Sequence, residues 1–341
     1  MPNRSNHSKT RTLLVVLLCT ALLALSLSGC VTNSAGESES VFSIILVRPF
    51  AWILGWIYSW CGNFGLSLIL FCVLTRLIML PFNIRSKRSM LRMQVLQPKM
   101  KEIEKKYPND KNKQSVEMMA LYKKEGVSPM SGCLTSLITL PLMFALYWPI
   151  SQPLKYLMHL TAAQIKQVAE TLVSIGAKVG NTAVAATSSQ MTLVQAIADN
   201  FDAVKGISDN IFRMDLTFLG MNLGATPNFR VFDALFFLPI ISAGTSFLMM
   251  YVTRKLQEKA TGTKAGQDQT QQQTQMMTWM MPLISLWIGF TLPAGLAVYW
   301  IAGNVVGIAQ EFLMNKIVKV TPNEPLEEAK KPNGKNNRKK R

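Results

Sequence analysis

Apolar residues are not spread along this chain but gathered into blocks. A short run from Leu13 to Leu25 follows Arg4, Lys9 and Arg11, and further apolar blocks cover 41–60, 64–83, 130–152, 234–253, 276–292 and 294–314. The last five approach or reach the ~20 apolar residues that a helix needs to cross a bilayer core of about 30 Å. They predict an all-α integral membrane protein with five transmembrane helices. Block 41–60 differs, because Arg48-Pro49 interrupts it and Trp52, Trp56 and Trp60 recur every four residues on one helix face. Indoles favour the membrane interface, so this segment is expected to lie as an amphipathic helix in the outer leaflet.

The polar segments set the orientation. Residues 84–126 hold twelve Lys/Arg against five Asp/Glu, and the tail 315–341 holds nine against three. Both therefore belong on the cytoplasmic side, together with the Gln-rich loop 254–275. The tail is expected to be disordered. Residues 153–233 balance six basic against six acidic residues and read as extracytoplasmic, with a low-complexity stretch at 180–190 suggesting a flexible link and 216–223 suiting the outer interface. Within 84–126, Met93, Leu96, Met100, Ile103 and Tyr107 alternate at three- and four-residue steps, a heptad seam. A second helix over 114–125 carries Val116, Met119, Ala120 and Lys123 along one side after a turn at Pro108-Asn109-Asp110. Together they predict a cytoplasmic helical hairpin, with Pro98 as a kink or break.

Net charge and cysteine usage narrow the function. The formal charge of +17 is concentrated in those cytoplasmic segments, as topology demands, and argues against a specific nucleic-acid partner. Five cysteines show no metal-site spacing. The basic, apolar leader ends in Leu27-Ser28-Gly29-Cys30, which resembles a bacterial lipobox. Residues 1–29 are then a lipoprotein signal peptide, Cys30 the acylated first residue of the mature chain, and 30–40 a lipidated tether outside the cytoplasm.

Candidate chemistry is sparse. Arg76 stands about six residues, roughly 9 Å, from the cytoplasmic end of the first span. A charge at that depth costs about 2.5 to 3.5 kcal/mol on insertion scales, so it is expected to face protein or a water-filled cavity rather than lipid. Small polar residues repeat on other spans: Thr135, Ser136 and Thr139; Ser242, Thr245 and Ser246; and, on one face of the last, Trp300, Asn304 and Gly307. Such faces either line a hydrated groove with Arg76 or hydrogen-bond helices together, and periodicity favours packing. His7 and His159 are the only histidines, and no metal-helix motif, phosphate loop or Ser/Lys pair sits at a credible membrane depth. No enzyme activity, cofactor or metal is expected.

From Phe64 onward, an ordered set of motifs resembles the YidC/Oxa/Alb family of membrane protein insertases, in its lipoprotein-type bacterial form. They are Leu74-Thr75-Arg76-Leu77 with Leu80-Pro81, Met93-Gln94-Val95-Leu96-Gln97-Pro98, Met118-Met119-Ala120-Leu121-Tyr122, Ser128-Pro129-Met130-Ser131-Gly132-Cys133, Leu140-Pro141-Leu142-Met143, and Leu292-Pro293-Ala294-Gly295 with Tyr299-Trp300 and Asn304. The resemblance implies a groove open to cytoplasm and lipid, closed outside, with Arg76 inside it and Cys72, Tyr299 and Trp300 contributing. Thr139, Thr245 and Asn304 complete the expected groove set. Implied partners are nascent membrane proteins, membrane lipids and, through hairpin and tail, the Sec translocon, ribosome and signal recognition machinery. The implied location is the bacterial cell membrane, N-terminus outside and C-terminus cytoplasmic. A folding chaperone without translocation activity, or a small-solute channel, are the alternatives. The external region from about 160 to 233 has no clear counterpart in the family pattern, which leaves its role open.

Overall fold

In the computed structural model, which describes residues 30–32, 38–40, 42–127, 145–261, 280 and 282–318, helices dominate. They are α1 (Arg48–Cys61), α2 (Phe64–Val95), α3 (Gln97–Lys106), α4 (Lys111–Lys124), α5 (145–151), α6 (Pro153–Tyr156), α7 (Ala162–Ser174), α8 (Gln190–Asp199), α9 (Phe201–Val204), α10 (Ala234–Thr261), α11 (282–289) and α12 (Ala294–Ile317). Three antiparallel strand pairs accompany them among the described residues: β1–β2 (Cys30–Thr32 with Ser38–Ser40), β3–β4 (Lys178–Val179 with Thr182–Ala183) and β5–β6 (Thr217–Phe218 with Met221–Asn222). Among the described residues, four helices are long and apolar enough to cross a membrane by length and composition: Ser43–Cys61, α2, α10 and α12. The first is the segment expected, from its tryptophans, to lie in the interface, and by length and composition it also qualifies as a span. Most of the expected span 130–152 and the start of span 276–292 lie outside the described residues; within their described parts, 145–151 and 282–289 are helical, and 152 and 290–292 are not.

The chain divides into two compact units, one made of 1–71, 140–238 and 289–299, the other of 72–139, 239–288 and 300–341. In the first, a π-helical turn (Ser43–Val47) runs into α1, which ends at Gly62 in the left-handed region (φ 68°). Glycine tolerates that conformation because it has no Cβ. Trp52, Trp56 and Trp60 are 67%, 63% and 80% exposed, whereas Ala51, Leu54 and Ile57 on the other face are buried, so the helix is amphipathic as its spacing predicts. Val47 and Ala51 pack with Ala145 and Tyr156, flanked by Phe50 and Trp148.

The region after 153 is ordered where the composition suggests a link. Thr161 and Gln164 form a reciprocal capping box at the start of α7, and the Ser189 hydroxyl accepts from the Thr192 amide at the start of α8. Their buried faces, Val168, Leu172, Met191, Val194 and Ile197, form a small core. Residues 180–190 are held by the β3–β4 pair, by the Val184 amide donating to the Ala177 carbonyl (2.9 Å), and by the Ser189 cap. Backbone pairing has won over low complexity there.

In the second unit, α2 does not stop at Pro81 but continues to Val95. Proline inside a helix removes one donor, leaving the Leu77 carbonyl without its usual partner, and the helix goes on beyond it. The break comes at Leu96, with Pro98 in the first turn of α3, where its missing N–H costs nothing. Lys99 and Glu125 meet at 2.7 Å, and the Tyr122 hydroxyl lies 3.6 Å from Met100 Sδ, joining α3 to α4. The α4 side expected to pack is turned outward, since Val116 and Met119 are 67% and 59% exposed, while Gln114 is buried and Tyr122 half-buried. Burial, with Glu104 adding to it, pushes the Tyr122 hydroxyl pKa up.

Candidate functional site: an arginine between two glycines and a buried ion pair

The charged face of α2 carries Cys72, Arg76 and Lys87. Four and then eleven residues separate them, about one and three helical turns, so all three share one side. Facing them on α12 is a second stripe: Gly303, Gly307 and Glu311. A Cβ placed on Gly303 would lie 3.5 Å from Arg76 Nη2 and 3.7 Å from Cys72 Sγ. One placed on Gly307 would lie 3.1 Å from Arg76 Nη1 and 2.7 Å from Met249 Cε. The two glycines thus make the space that the guanidinium occupies, with the Met249 thioether of α10 over it.

Arg76 is half-buried, and among the described residues no carboxylate is paired with it. Its backbone is tied down instead, since Gln310 Nε2 donates to the Arg76 carbonyl at 2.7 Å. Cys72 shares the Arg76 face but is fully buried.

Three turns further along, Lys87 Nζ meets Glu311 Oε1 at 2.6 Å, with the two side chains only 5% and 8% exposed. Lys87 Nζ also lies 3.4 Å from the Glu311 carbonyl. The basic cluster after the first span reads as a topology signal only, yet one of its members is the buried partner of an acid on the last helix.

Polar residues expected on α10 and α12 do come together, as interhelical hydrogen bonds. Asn304 Nδ2 donates to Ser246 Oγ at 2.8 Å and Thr245 Oγ1 at 3.1 Å, with the Ser242 carbonyl at 3.4 Å. Ser242 and Ser285 hydroxyls lie 3.1 Å apart, joining α11 to the same cluster. Asn304 and Ser242 are buried at 6% and 1% exposure. This geometry is that of polar glue between membrane helices. Trp300 stands one turn before Asn304 on the same face and is half-buried. Tyr299 belongs to the other unit. Thr139 lies outside the described residues, and Cys30 is described only as the first residue of β1.

Sequence reading missed Lys87, Glu311, Gln310, Gly303 and Met249. A signal was present in the repeats Arg76-x10-Lys87 and Gly303-x3-Gly307-x3-Glu311, which align a cation, a gap and an acid on two helices.

The model of the 60Kd inner membrane protein family matches residues 56–322. Membrane protein insertase YidC of Wolinella succinogenes is 28% identical over 278 residues, covering 82% of this chain and 38% of that protein. Membrane protein insertase YidC 2 of Listeria innocua is 29% identical over 311 residues, with 89% of this chain and 83% of that one covered. Membrane protein insertase YidC of Alkalihalophilus pseudofirmus is 27% identical over 302 residues, covering 85% and 90%. The chain thus spans well under half of the Wolinella protein and most of the other two. A crystal structure of an active YidC insertase with its first transmembrane domain resolved aligns at a TM-score of 0.44 with 21% identity, over 80% of this chain and 46% of that one. With the family model covering most of its length, including both helices that enclose Arg76, the chain belongs to the 60Kd inner membrane protein family.

Proposed function

We propose that the protein is a membrane protein insertase and chaperone that moves short hydrophilic segments of client membrane proteins across the bilayer, using Arg76 as a fixed positive charge inside a hydrated, cytoplasm-open groove. The observation that carries this reading is Arg76 itself, a permanent cation on an apolar helix with no carboxylate partner among the described residues and a space made for it by Gly303 and Gly307. A structural arginine at that depth is expected to be paired. One with no carboxylate beside it among the described residues is available to an acidic group that arrives from elsewhere. Curated relatives named as membrane protein insertases support the same reading.

The physical problem is the client's polar backbone, each unsatisfied group of which costs several kcal/mol in hydrocarbon. A hydrated groove shortens the dry path, Arg76 draws acidic residues of the translocating tail into it, and the client's apolar helix leaves sideways into lipid. Partition into lipid and the membrane potential acting on the acidic tail supply the drive, with no nucleotide or metal. In this reading Cys30 is lipidated outside the cytoplasm, the protein sits in the bacterial cell membrane with its C-terminus inside, and α3, α4 and the basic tail receive nascent chains from the ribosome, the signal recognition machinery or the Sec translocon.

The test is insertion of a client with an acidic translocated tail into liposomes holding the purified full chain. Arg76→Ala should lower insertion roughly 10- to 100-fold, the worth of one charge-assisted contact, and Arg76→Lys should keep much of it. Full activity of Arg76→Ala would remove Arg76 from the mechanism. Client folding without translocation by the wild-type protein would make it a chaperone only.

A further inference from the structure

The external hairpin β5–β6 is the part of the chain for which neither composition nor motif suggests a role. Its contacts converge on the outer ends of two long helices. At the start of α2, the Phe64 amide donates to the Asp215 carbonyl at 3.1 Å, and Asn63 caps the helix by accepting from the Leu66 amide at 3.1 Å. The same Asn63 donates through Nδ2 to Asp215 Oδ2 at 2.9 Å and to the Thr217 carbonyl at 2.7 Å. At the start of α12, the Ala294 amide donates to the Ala225 carbonyl and the Gly295 amide to the Leu223 carbonyl, both at 2.9 Å.

One segment of eleven residues, 215–225, therefore supplies acceptors to the first amides of both helices. Those amides have no partner within their own helix, and none is available in hydrocarbon.

Apolar packing follows the same lines. Leu216 and Leu223 are buried, as are Phe64, Leu68 and Ala294. The Phe218 ring fills the space beside Gly65, where an added Cβ would collide with it. A Cβ on Gly295 would lie 3.4 Å from both Leu68 Cδ1 and Phe64 Cε1, and 3.5 Å from the Leu223 carbonyl oxygen, so α2 and α12 meet closely under the hairpin. The hairpin itself is held tightly. The Leu223 amide donates to the Leu216 carbonyl at 2.9 Å, the Asp215 amide to the Tyr58 hydroxyl at 2.9 Å, and the turn Leu219-Gly220 has both φ values positive, 50° and 76°.

We propose that residues 215–225 are an outer clasp that binds the N-terminal ends of α2 and α12 together and seals them against water from outside, with Asn63, Asp215 and Phe218 as its positioning residues. The clasp rests on the insertase reading only for its purpose: a protein that opens a hydrated path from the cytoplasm needs a fixed seal at the other end. Its occupants are segments of this chain alone. Asp215 is the sole charged residue of the eleven and has both carboxylate oxygens engaged, by the Asn63 amide and by the Thr217 N–H at 2.9 Å.

The experiment uses the full chain in liposomes and a charged, membrane-impermeant maleimide added from the side on which Cys61 reacts, with each cysteine resolved by mass. In the wild-type protein Cys61 is modified and Cys72 is not. Asp215→Ala, which loses the contacts to Asn63 and to the Thr217 amide, and Phe218→Ala, which empties the space beside Gly65, should each raise the rate at Cys72 roughly three- to tenfold, the change in an opening equilibrium when one such contact is lost. Asp215→Asn, which keeps an acceptor, should stay near the wild-type rate. Folded variants, judged by thermal unfolding, in which Cys72 remains as unreactive as in the wild type would overturn the clasp. Hydrogen exchange on the unaltered protein is the second arm. The amides of Phe64, Leu223, Ala294 and Gly295 should be protected to a similar degree, and exchange of Ala294 and Gly295 at open-loop rates would equally overturn it. Neither arm involves a client, so a wild-type protein that seals Cys72 yet inserts nothing refutes the insertase reading and leaves the clasp standing.

Discussion

Lys87 and Glu311 are 224 positions apart in the chain, yet their charges meet at 2.6 Å in a site where neither side chain is more than 8% exposed. Removing one partner of such a pair leaves an uncompensated buried charge, at a cost of roughly 3 to 5 kcal/mol. Glu311→Ala and Lys87→Ala are each expected to lower the thermal unfolding midpoint in detergent clearly. The exchanged pair, Lys87→Glu with Glu311→Lys, should recover most of it. Equal loss in the exchanged protein would mean that the two residues act separately.

Gly307 sets how Arg76 is held. A Cβ there would lie 2.7 Å from Met249 Cε and 3.1 Å from Arg76 Nη1. Gly307→Ala should be tolerated, because the end of a methionine moves easily. Gly307→Leu has to displace the guanidinium and should reproduce the insertion defect of Arg76→Ala. Normal insertion by a folded Gly307→Leu protein would show that the position of the guanidinium is unimportant.

Asn304 separates packing from lining. Its amide is directed at Ser246 and Thr245. Interhelical hydrogen bonds in membranes average about 0.6 kcal/mol and reach about 1.7. Asn304→Leu should therefore reduce stability by about that amount, with the insertion rate nearly unchanged. A large insertion defect at unaltered stability would place Asn304 against the client instead.

Cys30 is expected to carry a diacylglyceryl thioether at the mature N-terminus. Mass spectrometry of the protein isolated from a bacterial membrane should find the chain starting there with the lipid attached. A leader still in place, or an unmodified Cys30 after cleavage elsewhere, would refute the lipobox.

The sequence by itself determined what depends on local, additive physics. Apolar blocks mark long helices wherever the transfer free energy of ~20 residues outweighs every other local preference. Arg76 stood out because a single charge in such a block is costly wherever its neighbours lie. The tryptophan stripe of α1 was legible for a related reason, since spacing alone puts indoles on one helix face. Where two local signals competed, the tertiary structure decided. The apolar block 64–83 closes just past Pro81, but α2 runs on through both to Val95. Val116 and Met119 read as a packing stripe, but Gln114 and Tyr122 turn inward on α4 and leave those two in the open. Pairings between distant positions were not legible at all. Lys87 looks like one of the twelve basic residues of 84–126, and only the approach of α12 selects it as the partner of Glu311. Asp215, Leu223 and Ala225 are unremarkable in the sequence, and only the fold brings their carbonyls to amides 64, 295 and 294. Hydrophobicity is a property of each residue, whereas a hydrogen bond or a buried ion pair belongs to two, and the second partner exists only once the chain has folded.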